Sequence, residues 1–419
     1  LPSDTAKNFW QILIAPLTIE DAARWLSYKK KHCLIVLAFA LLAFFAKFYF
    51  MDFESQDYTV FLTDWIRYIR SYGIDKVYGL PFSNYSPLYS YMLGLGIHFF
   101  PDANQLYVVK YLTFLWEGFT AYWAWRITAL HYKDVPNSVM PITAAMLIFV
   151  TPSVITNGAA TGQCDIMLAG FMLASLCCIV ERKPTRALIF AGLALSFKPQ
   201  ALFLSPLLLV LIMRGDMPWK RIWMIPAVYS LLCIPAWLEG RPLINLLKVY
   251  WIQIRGHRLS YNAGNPYLYV NNHKYTLADT APIVQLGCCF AFLVACYFVW
   301  KMYRRWHTPL TPVNCLLAAL FFAGLMPYIL PLMHDRYFFM ADIFSLVLAC
   351  MRPKWFFITV LFQAASLAVL PPSQMPRLGG IFGWIQSDIG LMKSIGVNLV
   401  AILCVYWLCR KHLWNRKPT

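Results

Sequence analysis

The chain is predicted to be an all-α polytopic membrane protein, a helical bundle, and three observations carry that prediction. Hydrophobic residues fill 60% of its 419 positions and charged ones only 13%, with a mean hydropathy of +0.55, too apolar for a fully solvated surface. Apolar runs able to cross about 30 Å of hydrocarbon recur along the chain. The loops between them are short and rich in Lys and Arg, while Trp and Tyr gather near the run ends, where an interfacial belt puts them.

Composition also excludes function classes. The net charge of +17 is divided among short loops between runs, so it reads as a topology signal and an attraction to anionic lipid, not as a nucleic-acid surface. Most of the 12 Cys lie inside apolar runs, as at Cys177, Cys178, Cys288, Cys289, Cys350 and Cys404. No CxxC or Cys/His ligand spacing occurs, so they are read as small core residues, with no metal expected. There is no GxGxxG, Walker A or DxD pattern, and neither a soluble nucleotide substrate nor a cofactor is expected.

Taken in order, residues 1–32 show no signal-peptide pattern. Their Phe9, Trp10, Ile12, Leu17 and Trp25, interspersed with Lys7 and Arg24, predict a helix lying on the cytoplasmic surface. The first run, 33–51, follows Lys29, Lys30 and Lys31, which stay inside, so Asp52, Glu54 and Asp57 emerge on the far side. Next, Phe61, Trp65, Tyr68, Ile69 and Tyr72 fall at i, i+4, i+7, i+8 and i+11. That spacing predicts an interfacial helix that holds Asp57 near headgroup depth. Asp57 has two readings here, a functional carboxylate or the N-cap of that helix.

Further apolar runs lie near 86–100, 105–130, 139–157, 163–181, 185–197, 200–213, 219–238, 282–301, 311–330, 336–351, 354–371 and 390–409. If every run crossed, the basic loops after 130 would face outward as far as 221. Letting 86–100 dip in without crossing puts 131–133, 182–186, 214–221, 301–305, 352–354 and the 410–417 tail on the cytoplasmic side. About twelve spans result, with both termini inside. A catalytic module would occupy 33–281, with outer loops 52–104 and 239–281, followed by C-terminal helices over 282–419.

This topology collects the polar motifs on one side. Asn84 and Tyr85 offer hydrogen bonds and a stacking face for a sugar, although Ser, Asn and Pro there equally suit a turn. Gln163 and Asp165 open one run, and Lys198 and Gln200 sit where two runs meet at Pro199. A lysine at membrane depth is costly and points to a function, here a point charge for phosphate; alternatively it simply pairs with Asp165. Arg255, His257 and Arg258, followed by Tyr261 and Asn265, suit a phosphate or diphosphate, or else anionic headgroups. His334 and Arg336 either join that site or anchor at the interface. Glu117 is expected to pair with Lys110, without a role of its own.

Several short segments resemble the GT-C superfamily of integral-membrane glycosyltransferases, in particular its bacterial mannosyltransferase-like members. They are Ser55-Gln56-Asp57-Tyr58, Phe82-Ser83-Asn84-Tyr85, Gly162-Gln163-Cys164-Asp165, Phe197-Lys198-Pro199-Gln200 and Met333-His334-Asp335-Arg336-Tyr337. The resemblance implies a polyprenyl-phosphate-sugar donor, a glycan, glycolipid or protein acceptor, and a site on the outer face of a bacterial inner membrane. It implies a first-loop carboxylate as catalytic base, with inversion at the anomeric carbon. Members often carry two adjacent acids there, and this chain has one Asp beside Tyr58, so Asp57 and Glu54 both stand as candidates. Rival classes are a flippase of lipid-linked sugars and a ligase using a polyprenyl-diphosphate donor.

Overall fold

The structure, a computed structural model, describes residues 30–135, 137–253, 258–270, 277–370 and 388–414. Among these, helices dominate, and the strands are two dipeptides, β1 (Ser260–Tyr261) and β2 (Met333–His334), paired in parallel. The interfacial helix expected over 1–32 lies almost wholly outside the described residues.

The longer helices are α1 (Lys30–Phe48), α2 (Thr63–Tyr72), α3 (Pro87–Phe99), α4 (Gln105–His131), α5 (Met140–Val150), α6 (Pro152–Ala160), α7 (Asp165–Val180), α8 (Pro184–Phe197), α9 (Ser205–Met213), α10 (Met224–Leu238), α11 (Leu277–Arg305), α12 (Pro312–Ile329), α13 (Phe339–Met351), α14 (Phe356–Ala368) and α15 (Asp388–His412). The core is built on α7 and α12, which are buried almost all round. Helix α7 packs on α4 and α8, and α12 on α13 and α15. In contrast, α1 and α11 expose Leu34, Leu37, Phe44, Phe45, Leu286, Phe290 and Leu293. A soluble chain would not leave such contiguous apolar surface in water; lipid is its natural solvent. The chain is an integral membrane protein of all-α class.

Among the described residues, four helices are long and apolar enough to cross a bilayer, and the pair α5 and α6, bent by 41°, makes up to five. The twelve or so spans expected from the sequence therefore do not appear as twelve full-length helices among the described residues. Proline explains much of this, because it removes a backbone donor and collides with the preceding turn. Pro152 divides α5 from α6, and Pro199 separates α8 from a tight 3₁₀ turn over Pro199–Leu204.

The basic loops meet at one end of the bundle. Arg126 pairs with Glu181 at 2.6 Å and Arg182 with Asp216 at 2.6 Å, while Arg214 pairs with Asp216 and donates to the carbonyl of Trp306. Tyr132 donates to the carbonyl of Cys350, and Trp355 lies against His412. Helix α3 has both ends at the opposite end of the bundle. Tyr85 and Tyr89 at its start pack on Trp65, and Arg70 donates to the carbonyl of Pro101 just beyond its finish. Thirteen residues at 1.5 Å rise reach about 20 Å, short of a full crossing.

The first loop departs from its expected register. A wide π turn over Tyr58–Leu62 precedes α2 and rotates that helix about its axis. The buried face is Tyr58, Leu62, Trp65, Ile66 and Ile69, whereas Phe61, Tyr68 and Tyr72 are exposed. Only Trp65 and Ile69 of the expected aromatic face are buried. This loop is latched to the residues after α10, where Glu239 accepts the backbone N–H groups of Tyr78 and Gly79 at 2.8 and 3.2 Å. A Cβ at Gly79 would fall 2.2 Å from the Glu239 carbonyl oxygen. Gly79→Ala is expected to destabilise the protein by about 1–3 kcal/mol, read as a lowered thermal midpoint in detergent.

Candidate active site

A cavity of about 930 Å³ opens at the end of the bundle away from the basic loops. That volume lies within the range of small-molecule binding sites. Breaks in the helices supply its polar wall. Helix α6 finishes in a wide π turn over Ile155–Ala160, and Gly162 then reverses the chain at φ +68°. Gly162 suits that left-handed conformation because it carries no Cβ. The reversal brings Gln163 to the cavity and sets Asp165 at the first turn of α7. Lys198 lies in extended backbone between α8 and the turn begun by Pro199. Arg336 comes from the 3₁₀ turn Asp335–Phe338.

Four of these side chains form an alternating chain of charge. Asp57 Oδ2 meets Arg336 Nη1 at 2.9 Å, and Arg336 Nε lies 3.7 Å from Asp165 Oδ2. Asp165 Oδ1 accepts from Lys198 Nζ at 2.7 Å. Asn157 donates to Asp165 Oδ2 at 2.8 Å, and Gln163 Nε2 donates to Asp57 Oδ2. Both contacts of the Asp57 carboxylate thus fall on Oδ2. Asp57 stands at the N-cap position of the π turn Tyr58–Leu62 but its side chain makes no capping hydrogen bond there, and the N-cap of α2 is Leu62. Instead, Ser55 Oγ accepts the Tyr58 N–H and donates to the Thr161 carbonyl, stitching the first loop to the turn before Gln163.

The other walls are aromatic and apolar. Tyr85 lies beneath Lys198, whose Nζ is 5.4 Å from the ring centroid, and packs on Trp65 and Tyr89. Tyr261 stacks on His334 with ring centroids 4.4 Å apart and planes 8° from parallel, held by the β1–β2 pairing. Val60, Phe61, Leu202, Phe203, Met326 and Leu330 make the apolar side.

Of the residues singled out in the sequence, the cavity brings together Asp57, Asn84, Tyr85, Gln163, Lys198, Gln200, Arg258, Tyr261, His334 and Arg336. Asp165 sits behind that wall as the partner of Lys198. Glu54 is exposed and outside the cavity lining, which leaves Asp57 as the first-loop acid at the site. Tyr58 is buried in the core of the first loop. Asn265 is fully buried and donates to the carbonyls of Pro327 and Leu330, a brace under the loop. Arg255 and His257 lie outside the described residues. Glu117 pairs with Lys47 of α1, not with Lys110 as expected, because the neighbouring helix brings an ammonium closer than its own turn does.

Asp335 and Asn157 escaped the sequence reading. Asp335 lines the cavity and accepts the Arg336 N–H at 2.8 Å; its place in the His334-Asp335-Arg336 triplet was the available signal. Asn157, at the very end of an apolar run, offered none.

The sequence profile of glycosyltransferase family 87, a family of GT-C type, matches residues 85–331, more than half of the chain. The matched stretch holds Tyr85, Gln163, Asp165, Lys198 and Arg258; Asp57 and Arg336 flank it on either side. No curated protein matches the chain.

His334 and Asp335 titrate in opposite senses. Burial, together with Arg336 and Lys198, lowers His334 to about 3. Its imidazole is neutral in the fold and takes up a proton on unfolding, so its share of stability is lost as pH falls from about 6.5. Burial raises Asp335 to about 6, offset in part by Arg336. The fold therefore holds a proton that the unfolded chain releases, and this contribution grows as pH falls from about 6 towards 4. Asp335→Asn is expected to steepen the loss of stability on acidification through that window, and His334→Gln to flatten or invert it, as read from thermal midpoints in detergent across pH.

Proposed function

The chain belongs to glycosyltransferase family 87, and from that premise we propose that it moves a hexose from a polyprenyl-phosphate carrier to a hydroxyl of a glycan, glycolipid or protein acceptor on the outer face of the membrane. Asp57 is the base. The observation that carries this reading is one cavity in which a carboxylate, several cations and an apolar wall stand together. A carboxylate is what an attacking hydroxyl needs, cations are what a departing phosphate needs, and an apolar wall is what a prenyl chain needs.

In the proposed reaction, the acceptor oxygen attacks the anomeric carbon as Asp57 takes its proton. The bond from that carbon to the phosphate oxygen breaks, and polyprenyl phosphate leaves with the electron pair. Attack from the side opposite the phosphate inverts the anomeric centre. Gln163 and Arg336 hold the carboxylate through Oδ2, which leaves Oδ1 for the hydroxyl. Arg336, Lys198 and Arg258 stabilise charge gathering on the phosphate, an interaction that strengthens towards the transition state. Asn84, Tyr85, Gln200 and Tyr261 orient the sugars, with the aromatic rings as stacking faces.

Membership of a glycosyltransferase family displaces the flippase reading, since the chain then makes and breaks glycosidic bonds. The experiment is transfer by purified protein from radiolabelled undecaprenyl-phosphate mannose or glucose to octyl mannoside. Asp57→Asn is expected to retain donor binding and lose about 10²–10⁴-fold in turnover, the usual share of a general base. Wild-type turnover by Asp57→Asn would overturn the base assignment. Transfer from an undecaprenyl-diphosphate sugar in place of the monophosphate would overturn the donor class.

A further inference from the structure

One buried lysine outside the cavity lining is tied directly to the chain that delivers Asp57. Lys110 lies on α4 and is fully buried. Its ammonium donates to the backbone carbonyls of Phe50, Met51 and Phe53 at 2.5, 3.1 and 2.7 Å. These carbonyls belong to the turn that ends α1 and leads into the first loop. Helix C-termini leave carbonyls unpaired and carry partial negative charge, so a cation suits them there. Lys110 is fully buried in the protein, so its ammonium takes those acceptors where water does not reach it.

The same face of α4 also supports the partner of Asp57. Gly162 lies against Val109, and Gly158 against Thr113 and Glu117, so the turn carrying Asn157 and Gln163 rests beside the Lys110 contacts. Ser55 then bridges the two segments through the Thr161 carbonyl. One helix face thus fixes both ends of the Gln163–Asp57 hydrogen bond. Glu117, on the same helix, holds Lys47 at the last turn of α1, a second tie between these elements.

We propose that Lys110 is a positioning residue for transfer: by gathering the carbonyls at the end of α1 it sets the register in which Asp57 meets Gln163, Arg336 and the incoming hydroxyl. It touches neither substrate nor reacting atom. The inference rests on the reading of Asp57 as base and adds the element that aims it. Displacements of about 1 Å from a productive geometry can cost 10²-fold in rate, so the effect belongs in turnover and not in donor affinity.

The test compares Lys110→Met, which removes every donor, with Lys110→Gln, which keeps an amide NH₂. Both are assayed for transfer from undecaprenyl-phosphate mannose or glucose, whichever the wild-type protein uses. Lys110→Met is expected to lower kcat by about 10–100-fold with donor KM within about twofold, and Lys110→Gln to recover part of that loss. In an Asp57→Asn background, Lys110→Met should add less than about threefold, because the group it aims is already gone. If Lys110→Met does not accumulate as folded protein, the kcat and KM of Lys110→Gln decide alone. Unchanged kcat, an effect confined to KM, or full additivity with Asp57→Asn overturns the proposal while the base assignment stands. An Asp57→Asn protein with wild-type turnover brings down both.

Discussion

Charges brought into a membrane bundle must neutralise one another, and this requirement governs the site. An isolated carboxylate or ammonium is too costly to bury at such depth. Asp57, Arg336, Asp165 and Lys198 meet the requirement by alternating in sign along one line of contacts. Two opposite charges 4 Å apart attract by about 4 kcal/mol at an effective dielectric of 20, enough to offset much of the desolvation of each. Removing one member leaves its neighbour buried and unpaired, so the four act as a unit.

A regular helix spends its backbone N–H and C=O groups on bonds along its own axis, so polar backbone reaches a cavity only where a helix breaks. The charges sit where helices break: Asp57 before the π turn that leads into α2, Asp165 at the start of α7 after the π turn that ends α6, Lys198 in extended backbone before Pro199, and Arg336 in the turn after β2. Each break frees backbone groups that find local partners. Gln163 N–H donates to the Asn157 carbonyl at 2.7 Å, and Leu332 N–H to the Leu259 carbonyl at 2.7 Å. Leu332 adopts φ 63°, an uncommon conformation for a leucine. It lies beside the β1–β2 pairing that stacks Tyr261 on His334. Irregular backbone is tolerated at this depth only against protein or a polar cavity, and here it has both.

The fold class was legible because hydropathy and loop charge are summed over many residues, so single exceptions do not matter. Much of the site was legible for a related reason: a polar group inside an apolar run stands out whatever its partner. Lys198 and Gln163, at the ends of apolar runs, announced themselves that way, and Asp57 did so by following closely on one. Partnership was harder to read. Periodicity relates residues along one helix, so it offered Lys110 for Glu117, while the true partner, Lys47, comes from another helix. The rotation of the first loop was equally hidden, since one extra residue in the turn Tyr58–Leu62 changes which aromatics are buried and leaves no mark in composition.

The arrangement has a consequence for how base and leaving group would communicate on the proposed reading. Around the cavity, Asp57, Asp165 and Asp335 balance Lys198, Arg258 and Arg336, while His334 stays neutral. A carrier phosphate therefore cannot be held by spare positive charge among these groups alone; it must compete for cations already engaged. Arg336 is the pivotal one, because it is shared between Asp57 and Asp165. As the glycosidic bond stretches and the phosphate gains charge, the pull on Arg336 rises and its hold on Asp57 weakens. The carboxylate then becomes a better proton acceptor at the stage when the hydroxyl must lose its proton. A site with surplus cations would bind the donor more tightly but would keep the base quiet. On the proposed reading, balance among these described groups is what would let one guanidinium serve both ends of the transfer.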